Sequence, residues 1–429
     1  MPGIAIGVDT GKSHHQAAAV DPEHGRVLGQ LRFRVDRGGF ERFCAFVQAQ
    51  AGAEAVTIGL EATGHYHLTL LELLEARGYR VVLLNPYQVL QFRRSQGKRA
   101  KTDRLDARAI AQFVAFTAPL LIVPTSRHLA GLRELTRFRA ELVHDRTMLL
   151  NRLHAAVDLA FPELLQVLPD LTGHTAQVLL RTSPTAAAVA AADAEALGDL
   201  LHRASHGHFH RERVSVLLET ARASIGLQRG QAALAIKVSS LVRQVIALTQ
   251  EIADLDQAIA SEFDQLGYRV ETFPAGGSLS LATIVAEAGD VGRFRTAKQV
   301  LAHFGWCPAD HQSGASKRAH PRLSRAGNRY VRRMIWMLAI HTVSRPGPFR
   351  DYFHQRTLAG KNNGLLPGPR SLEEGLARTL VLIYAGAGSR SFTTLEREQA
   401  GAATLGASLG RASARPFRTM WGAVHLLQR

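Results

Sequence analysis

Leu234, Val238, Leu241, Val245, Leu248, Ile252, Leu255 and Ile259 recur at alternating steps of four and three residues. That period lays an apolar seam along one side of a helix, and the helix cannot bury such a seam by itself. The stretch is therefore expected to be a rod of roughly 40 Å, at about 1.5 Å per residue, zipped to a second helix. A chain carrying such a rod cannot collapse into one α/β body. Its partner is either an earlier helix, read at about Leu132 to Val157 and lying antiparallel within the chain, or the seam of a second subunit; the spacing permits both. Because the pattern is helical from about Ser126 to Leu266, the rod divides the chain into an N-terminal and a C-terminal part.

The N-terminal part reads differently. IAIGVDT, HQAAAVD and RVLGQLRFRV carry β-type patterning, with a turn at DPEHG between the second and third. GGFERFCAFVQAQ is a helix candidate and AVTIGLEA a short buried strand. TGHYHLTLLELLEARG reads as a helix with a threonine start and a glycine stop, and YRVVLLNP as another buried strand. The order is βββαβαβ and then helix. Asp9 ends the alternating strand Ile4, Ile6, Val8, and Glu61 closes AVTIGL, so adjacent parallel strands would bring the two acids together. In KTDRLDA, Asp103 and Asp106 lie three apart, on one face of a helix start whose positive end favours anions. Any one of these acids alone reads as a cap or turn residue. Together they are four hard oxygen donors from separate elements, the set Mg2+ or Mn2+ requires beside a phosphate.

Charge points to the same partner. The formal net charge is +16, and neutralising phosphates releases condensed counterions, which drives a basic protein onto nucleic acid. The charge is also segregated. Between Val291 and Arg350 stand Arg293, Arg295, Lys298, Lys317, Arg318, Arg322, Arg325, Arg329, Arg332, Arg333, Arg345 and Arg350, against the single acid Asp310. A second cluster, Arg93, Arg94, Lys98, Arg99, Lys101, Arg104 and Arg108, surrounds Asp103 and Asp106. Basic stretches are often only solvated surface; segregation of this kind favours DNA as the partner. In AGNRYVRRMIW a helix is expected to open at Gly327 with Arg329, Arg332 and Arg333 on one side, contacting phosphates, and Val331, Met334, Ile335 and Leu338 toward a core.

GVDTGK, LEATGHY, NPYQV and KTDRLDA, together with EAGDVGRF, LAHFGWCP, HQSGASKR and SRAGNRYVRRMIW later in the chain, resemble in order and spacing the signatures of the DEDD transposases of the insertion-sequence 110 class. The resemblance covers most of residues 1 to 392. It implies an α/β plus α chain: a ribonuclease H-like, RuvC-like N-terminal domain over 1–120, a helical coiled-coil spacer over 126–266, and a mainly helical, basic C-terminal transposase domain over 267–392. It implies that Asp9, Glu61, Asp103 and Asp106 are the metal ligands and that Ser313 in HQSGASK attacks the phosphodiester, with Ser316 as the rival. It further implies a site-specific recombinase guided by an element-encoded structured RNA. Recombination joins two DNA partners, so a homo-oligomer, dimer or tetramer, is expected. The chain departs from the family at Pro274-Ala275-Gly276-Gly277, where a Pro-Gly-x-Gly hairpin is usual, at Ala315, and in the irregular stretch KNNGLLPGPRSLEEGLA.

Three alternatives remain at this level. A metal-dependent junction endonuclease would hydrolyse DNA with water and form no protein link. A non-catalytic accessory protein would only bind DNA. A sugar kinase or ATPase is suggested by GVDTGK, but that fold requires a second Asp-Gly-rich phosphate loop and an adenosine motif, which the chain lacks. Cys44 and Cys307 lie far apart without CxxC spacing, so neither a disulfide framework nor a structural zinc site is indicated. No run approaches the roughly 18 apolar residues of a membrane span, and the start lacks a signal peptide, so a cytoplasmic protein with no membrane partner is expected. His202, His206, His208 and His210 in HRASHGHFHRER read as solvated surface. The tail over 393–429, rich in glycine, alanine and serine, reads as weakly ordered.

Overall fold

A computed structural model of the chain describes residues 3–51, 55–62, 64–97, 102–117, 119, 127–267, 277–289, 297–305, 308–309, 312–313, 316–317, 322–323, 327–346, 350–351 and 354. Five strands, β1 (Ile4–Thr10), β2 (His14–Val20), β3 (Val27–Arg34), β4 (Val56–Glu61) and β5 (Arg80–Leu84), form one sheet in the order β3-β2-β1-β4-β5. β2 runs antiparallel to β1 and β3, whereas β4 is parallel to β1 and β5 to β4. This is the expected ribonuclease H-like order, a meander extended by parallel strands that need helical crossovers.

Alternation along the strands sorts the two faces. Ile4, Ile6, Val8, Ile58 and Leu60 pack with Phe40, Phe43 and Val47 of α1 (Arg37–Ala51) and with Leu70 and Leu74 of α2 (Leu68–Ala76). Ala5, Val82 and Leu84 face the other way, onto Val89 of α3 (Pro86–Ser95) and onto Ile110 and Val114 of α4 (Asp103–Thr117). The start of α2 differs from the sequence reading. It begins at Leu68 because Gly64 takes a left-handed φ of 56°, interrupting any helix from Thr63, which itself lies outside the described residues; the stop at Gly78, with φ 74°, is as read. α3 is entered by the NPYQV motif: the Asn85 side chain accepts the Tyr87 N–H at 2.9 Å and Pro86 takes the first helical position.

The chain divides into two compact units, Met1–Pro124 and Thr125–Arg429. The second is organised by α5 (Arg127–Ala160) and the five helices after it, α6 (Leu164–Val167), α7 (His174–Thr182), α8 (Ala186–Ala190), α9 (Ala194–Ala204) and α10 (Arg211–Arg222), before α11 (Gln231–Asp264) returns. His128 lies 3.6 Å from Glu262, Arg139 pairs with Asp256, and Leu153 shares a core with Val238 and Val242, so α5 and α11 are antiparallel. Of the seam, Val238, Leu241, Val245, Ile252 and Ile259 are buried. The partner is thus the earlier helix of the same chain. α11 is long and apolar enough by length and composition to cross a membrane, its most apolar 18 residues having a mean hydropathy of 1.4, and here α5 lies along it.

Beyond the hairpin come α12 (Ser278–Ala288), α13 (Ala297–His303), four two-residue strands, β6 (Pro308–Ala309), β7 (Gln312–Ser313), β8 (Ser316–Lys317) and β9 (Arg322–Leu323), and α14 (Arg329–Val343). α12 packs against α5, α11 and α14. The short strands were not read from the sequence, because two residues are too few for alternation to register.

Candidate active site

Val8 pairs with Leu60 across the parallel β1 and β4, so the next residues, Asp9, one before the last residue of β1, and Glu61, the last of β4, stand side by side at the C-terminal ends of neighbouring strands. Both occupy odd positions and share a face with Gly7 and Gly59, which are register partners. That face lies under α4. A Cβ on Gly7 would fall on Ala107 O and Ala111 N and 2.8 Å from the Ile110 carbonyl carbon, and one on Gly59 would lie 2.5 Å from Val114 Cγ2. Glycine at these two positions lets the helix backbone approach the sheet.

The direction of α4 then places its start. Ala5 packs with Ile110 and Val114, whereas Gly7 lies beneath Ala107 and Ala111, so moving up β1 corresponds to moving back along α4. Two further strand residues rise about 6.6 Å, close to one helical turn of about 5.4 Å. Asp9 therefore comes level with the first turn of α4, which contains Asp103 and Asp106. Thr102 starts that turn: its hydroxyl accepts the Leu105 N–H at 3.3 Å and its carbonyl the Asp106 N–H at 2.9 Å. Asp103 is exposed and Asp106 buried.

Arg93, in the last turn of α3, forms an ion pair with Asp106, and both side chains are only 11% exposed. Among the described residues no three Asp, Glu, His or Cys side chains stand close enough to share one ion. The fold brings the carboxylate-bearing elements to one edge, while the Asp106 carboxylate faces a guanidinium. The donor set, all oxygen and at a helix N-terminus, fits a hard divalent cation. Arg94 is exposed at the end of α3; Lys98, Arg99 and Lys101 lie outside the described residues.

His15, which sequence reading missed, sits beside this edge. It pairs with Thr10 in the β1–β2 ladder, its Nδ1 accepts the Gly11 N–H at 3.2 Å, and its ring packs edge-on to Phe33. Burial, then the neighbouring His14 charge, lowers its pKa to about 4, so the ring is neutral and holds the turn after Asp9.

In the second unit, Ser313 lies in β7 and pairs with Ser316 of β8, and Gln312 pairs with Lys317. Ser313 thus belongs to a short antiparallel ladder. Arg322 is in β9, and Arg318 and Arg325 lie outside the described residues, as do positions 274–276, Ala315, Cys307 and the tail. α14 opens at Arg329, two residues later than Gly327, because the Asn328 side chain accepts the Tyr330 and Val331 N–H groups at 2.9 and 3.2 Å. Asn328 in turn donates to Glu287 of α12 at 2.5 Å, and Arg137 of α5 binds the same carboxylate through two N–H groups at 2.6 and 2.9 Å. Glu287, Asn328 and Arg137 thus tie three helices together. Periodicity could not reveal this, since the partners are up to 150 positions apart.

Comparison with known proteins assigns these units. A model described as "DEDD_Tnp_IS110: Transposase" matches residues 6–162, and one described as "Transposase IS116/IS110/IS902 family" matches residues 267–354. The uncharacterized 44.8 kDa protein of insertion element IS116 from Streptomyces clavuligerus is 29% identical over 372 residues, 85% of this chain and 89% of that protein. The transposase for insertion sequence element IS1111A of Coxiella burnetii is 22% identical over 342 residues, 77% and 75% of the two chains. Thermus thermophilus RuvC, solved with a Holliday junction substrate, matches at 20% identity over 27% of this chain and 94% of its own, with a TM-score of 0.22. The two matched segments together span more than half of the chain and contain both the carboxylates and the Ser313 hairpin: the chain belongs to the IS116/IS110/IS902 family of insertion-element transposases.

Proposed function

We propose that this transposase cuts and rejoins DNA site-specifically, with Ser313 as the nucleophile and with Asp9, Glu61, Asp103 and Asp106 as ligands of Mg2+ or Mn2+. The observation that supports this reading is that Asp9 and Glu61 share one face near the ends of the paired strands β1 and β4, on the side where α4 packs, and that the first turn of α4 bears Asp103 and Asp106. A bound divalent cation would supply Lewis-acid stabilisation of charge at the phosphate. The chain's own residues supply the rest. The Ser313 hydroxyl bonds to phosphorus as a DNA P–O bond breaks, and attack by a free DNA hydroxyl reverses the step and rejoins the strand. Lys317, Arg318 and Arg322 offset the charge that develops. Arg94, Lys98, Arg99, Lys101, Arg325, Arg329, Arg332 and Arg333 hold the phosphate backbone, whereas Arg93, expected among them, is shielded in its ion pair with Asp106. Family membership supports DNA as the partner. An element-encoded guide RNA and a dimer or tetramer complete the proposal, the oligomer because two DNA partners must be joined.

The test is covalent trapping on a nicked DNA substrate. The wild-type chain should form a protein–DNA adduct through Ser313; Ser313→Ala and Glu61→Ala should both lose cleavage while keeping DNA binding. A Ser313→Ala protein that still cleaves and rejoins normally rules out the serine step and leaves hydrolysis by water. Sequencing RNA that co-purifies with the protein tests the guide.

A further inference from the structure

Trp336 is the feature of α14 that the arginines do not explain. α14 buries Val331, Ile335 and Leu338, whereas Trp336 is 44% exposed on the opposite side. Counting around the helix, Arg332 and Arg333 stand four and three residues before Trp336 and Arg329 seven before it, so the indole lies in the same stripe as all three arginines. Arg329 and Arg333 are exposed and Arg332 is half-buried. The helix carries no acid. An exposed indole set among cations suits a ligand that is both anionic and flat.

The stripe is also held rigidly. Asn328 caps the helix, Glu287 holds Asn328, and Arg137 holds Glu287 while its guanidinium lies 5.3 Å from the Tyr330 ring. Arg329 covers the same ring at 4.8 Å and donates to its hydroxyl at 2.8 Å. A platform whose first turn is pinned loses little freedom when it binds.

The geometry points to α14 as a binding surface for unpaired nucleotides, with a base stacked on Trp336 and flanking phosphates on Arg329, Arg332 and Arg333. Intact duplex offers phosphates to the arginines but hides its base faces, so it cannot use the indole. An unpaired stretch offers both. This inference rests on the reading of α14 as a nucleic-acid contact and names the form of nucleic acid it selects.

The experiment compares full-length wild type, Trp336→Phe and Trp336→Ala on two probes, a DNA duplex with a central unpaired loop and the same duplex fully paired. Stacking is worth enough per base that Trp336→Ala should bind the looped probe about tenfold more weakly while changing affinity for the paired probe less than about twofold. Trp336→Phe keeps an aromatic ring and should stay within about threefold of wild type on both. The looped probe should quench tryptophan fluorescence in wild type, and the part of that quenching due to Trp336 should be lost in Trp336→Phe, which keeps Trp306 and Trp421. Equal weakening on both probes, no weakening on either, or quenching undiminished in Trp336→Phe overturns the proposal and leaves the nucleic-acid reading standing. A wild-type chain that binds neither probe overturns that reading and the proposal with it.

Discussion

Gly7 and Gly59 stand opposite one another in the register of β1 and β4, and α4 crosses over both. Their contacts differ in kind. A side chain at Gly7 meets the backbone of Ala107, Ile110 and Ala111, which cannot turn aside; one at Gly59 meets the tips of Val114, Ile110 and Leu84. Gly7→Ala should cost about 3 kcal/mol and Gly59→Ala nearer about 1 kcal/mol, since overpacking is relieved only where side chains can move. Urea denaturation of the two proteins checks this. Equal losses would show that α4 does not rest on Gly7 as closely as described.

Arg93 faces Asp106 with both side chains largely shielded from water. A cation that needs the Asp106 carboxylate must compete with that guanidinium. The DNA-free Arg93→Gln protein is therefore expected to bind Mn2+ several-fold more tightly than wild type, measured by calorimetry, with no cleavage assay involved. Unchanged or weaker binding would mean that the ion pair does not guard the site.

The neutral His15 makes stability depend on pH. Its folded pKa of about 4 lies below the unfolded value of about 6.5. Above pH 6.5 neither state is protonated and this residue contributes no slope. Between 6.5 and 4 the unfolded chain takes up a proton that the folded chain refuses, so stability falls as the pH falls, by at most about 3 kcal/mol across the window. Below about pH 4 the effect levels off. His15→Asn should flatten this part of the profile in thermal melts at a series of pH values, and a wild-type His15 signal titrating near 6.5 by NMR would contradict it.

Glu287 is almost wholly buried, its side chain 2% exposed, whereas its partner Arg137 is 43% exposed. The two losses should therefore be unequal. Arg137→Ala leaves a carboxylate in the interior with Asn328 as its remaining side-chain partner among the described residues and should destabilise the protein by about 3 kcal/mol. Glu287→Gln leaves a cation that water can reach and should cost about 1–2 kcal/mol. Chemical denaturation of both variants gives the order, and the reverse order would refute it.

Much of this was legible in the residues. The four-three seam set the long helix, alternation in Ile4, Ile6 and Val8 set β1, and the TDRLDA start set α4, because each depends on neighbours within a turn or a strand. The acids were read as a set from their type and order. What local pattern could not decide was partnership. The seam admitted a second subunit as readily as α5, and only the ladder from His128 and Glu262 to Leu153 and Val238 chose the latter. The strand at Ser313 was not legible because two residues are too few for a period to show. The pairing of Arg93 with Asp106, the glycine seat beneath α4 and the knot at Glu287 depend on residues distant in sequence meeting in space. Sequence determines which elements form and which chemistry they carry, since those are local preferences. Only tertiary structure decides which charge faces which, because that depends on how the elements pack.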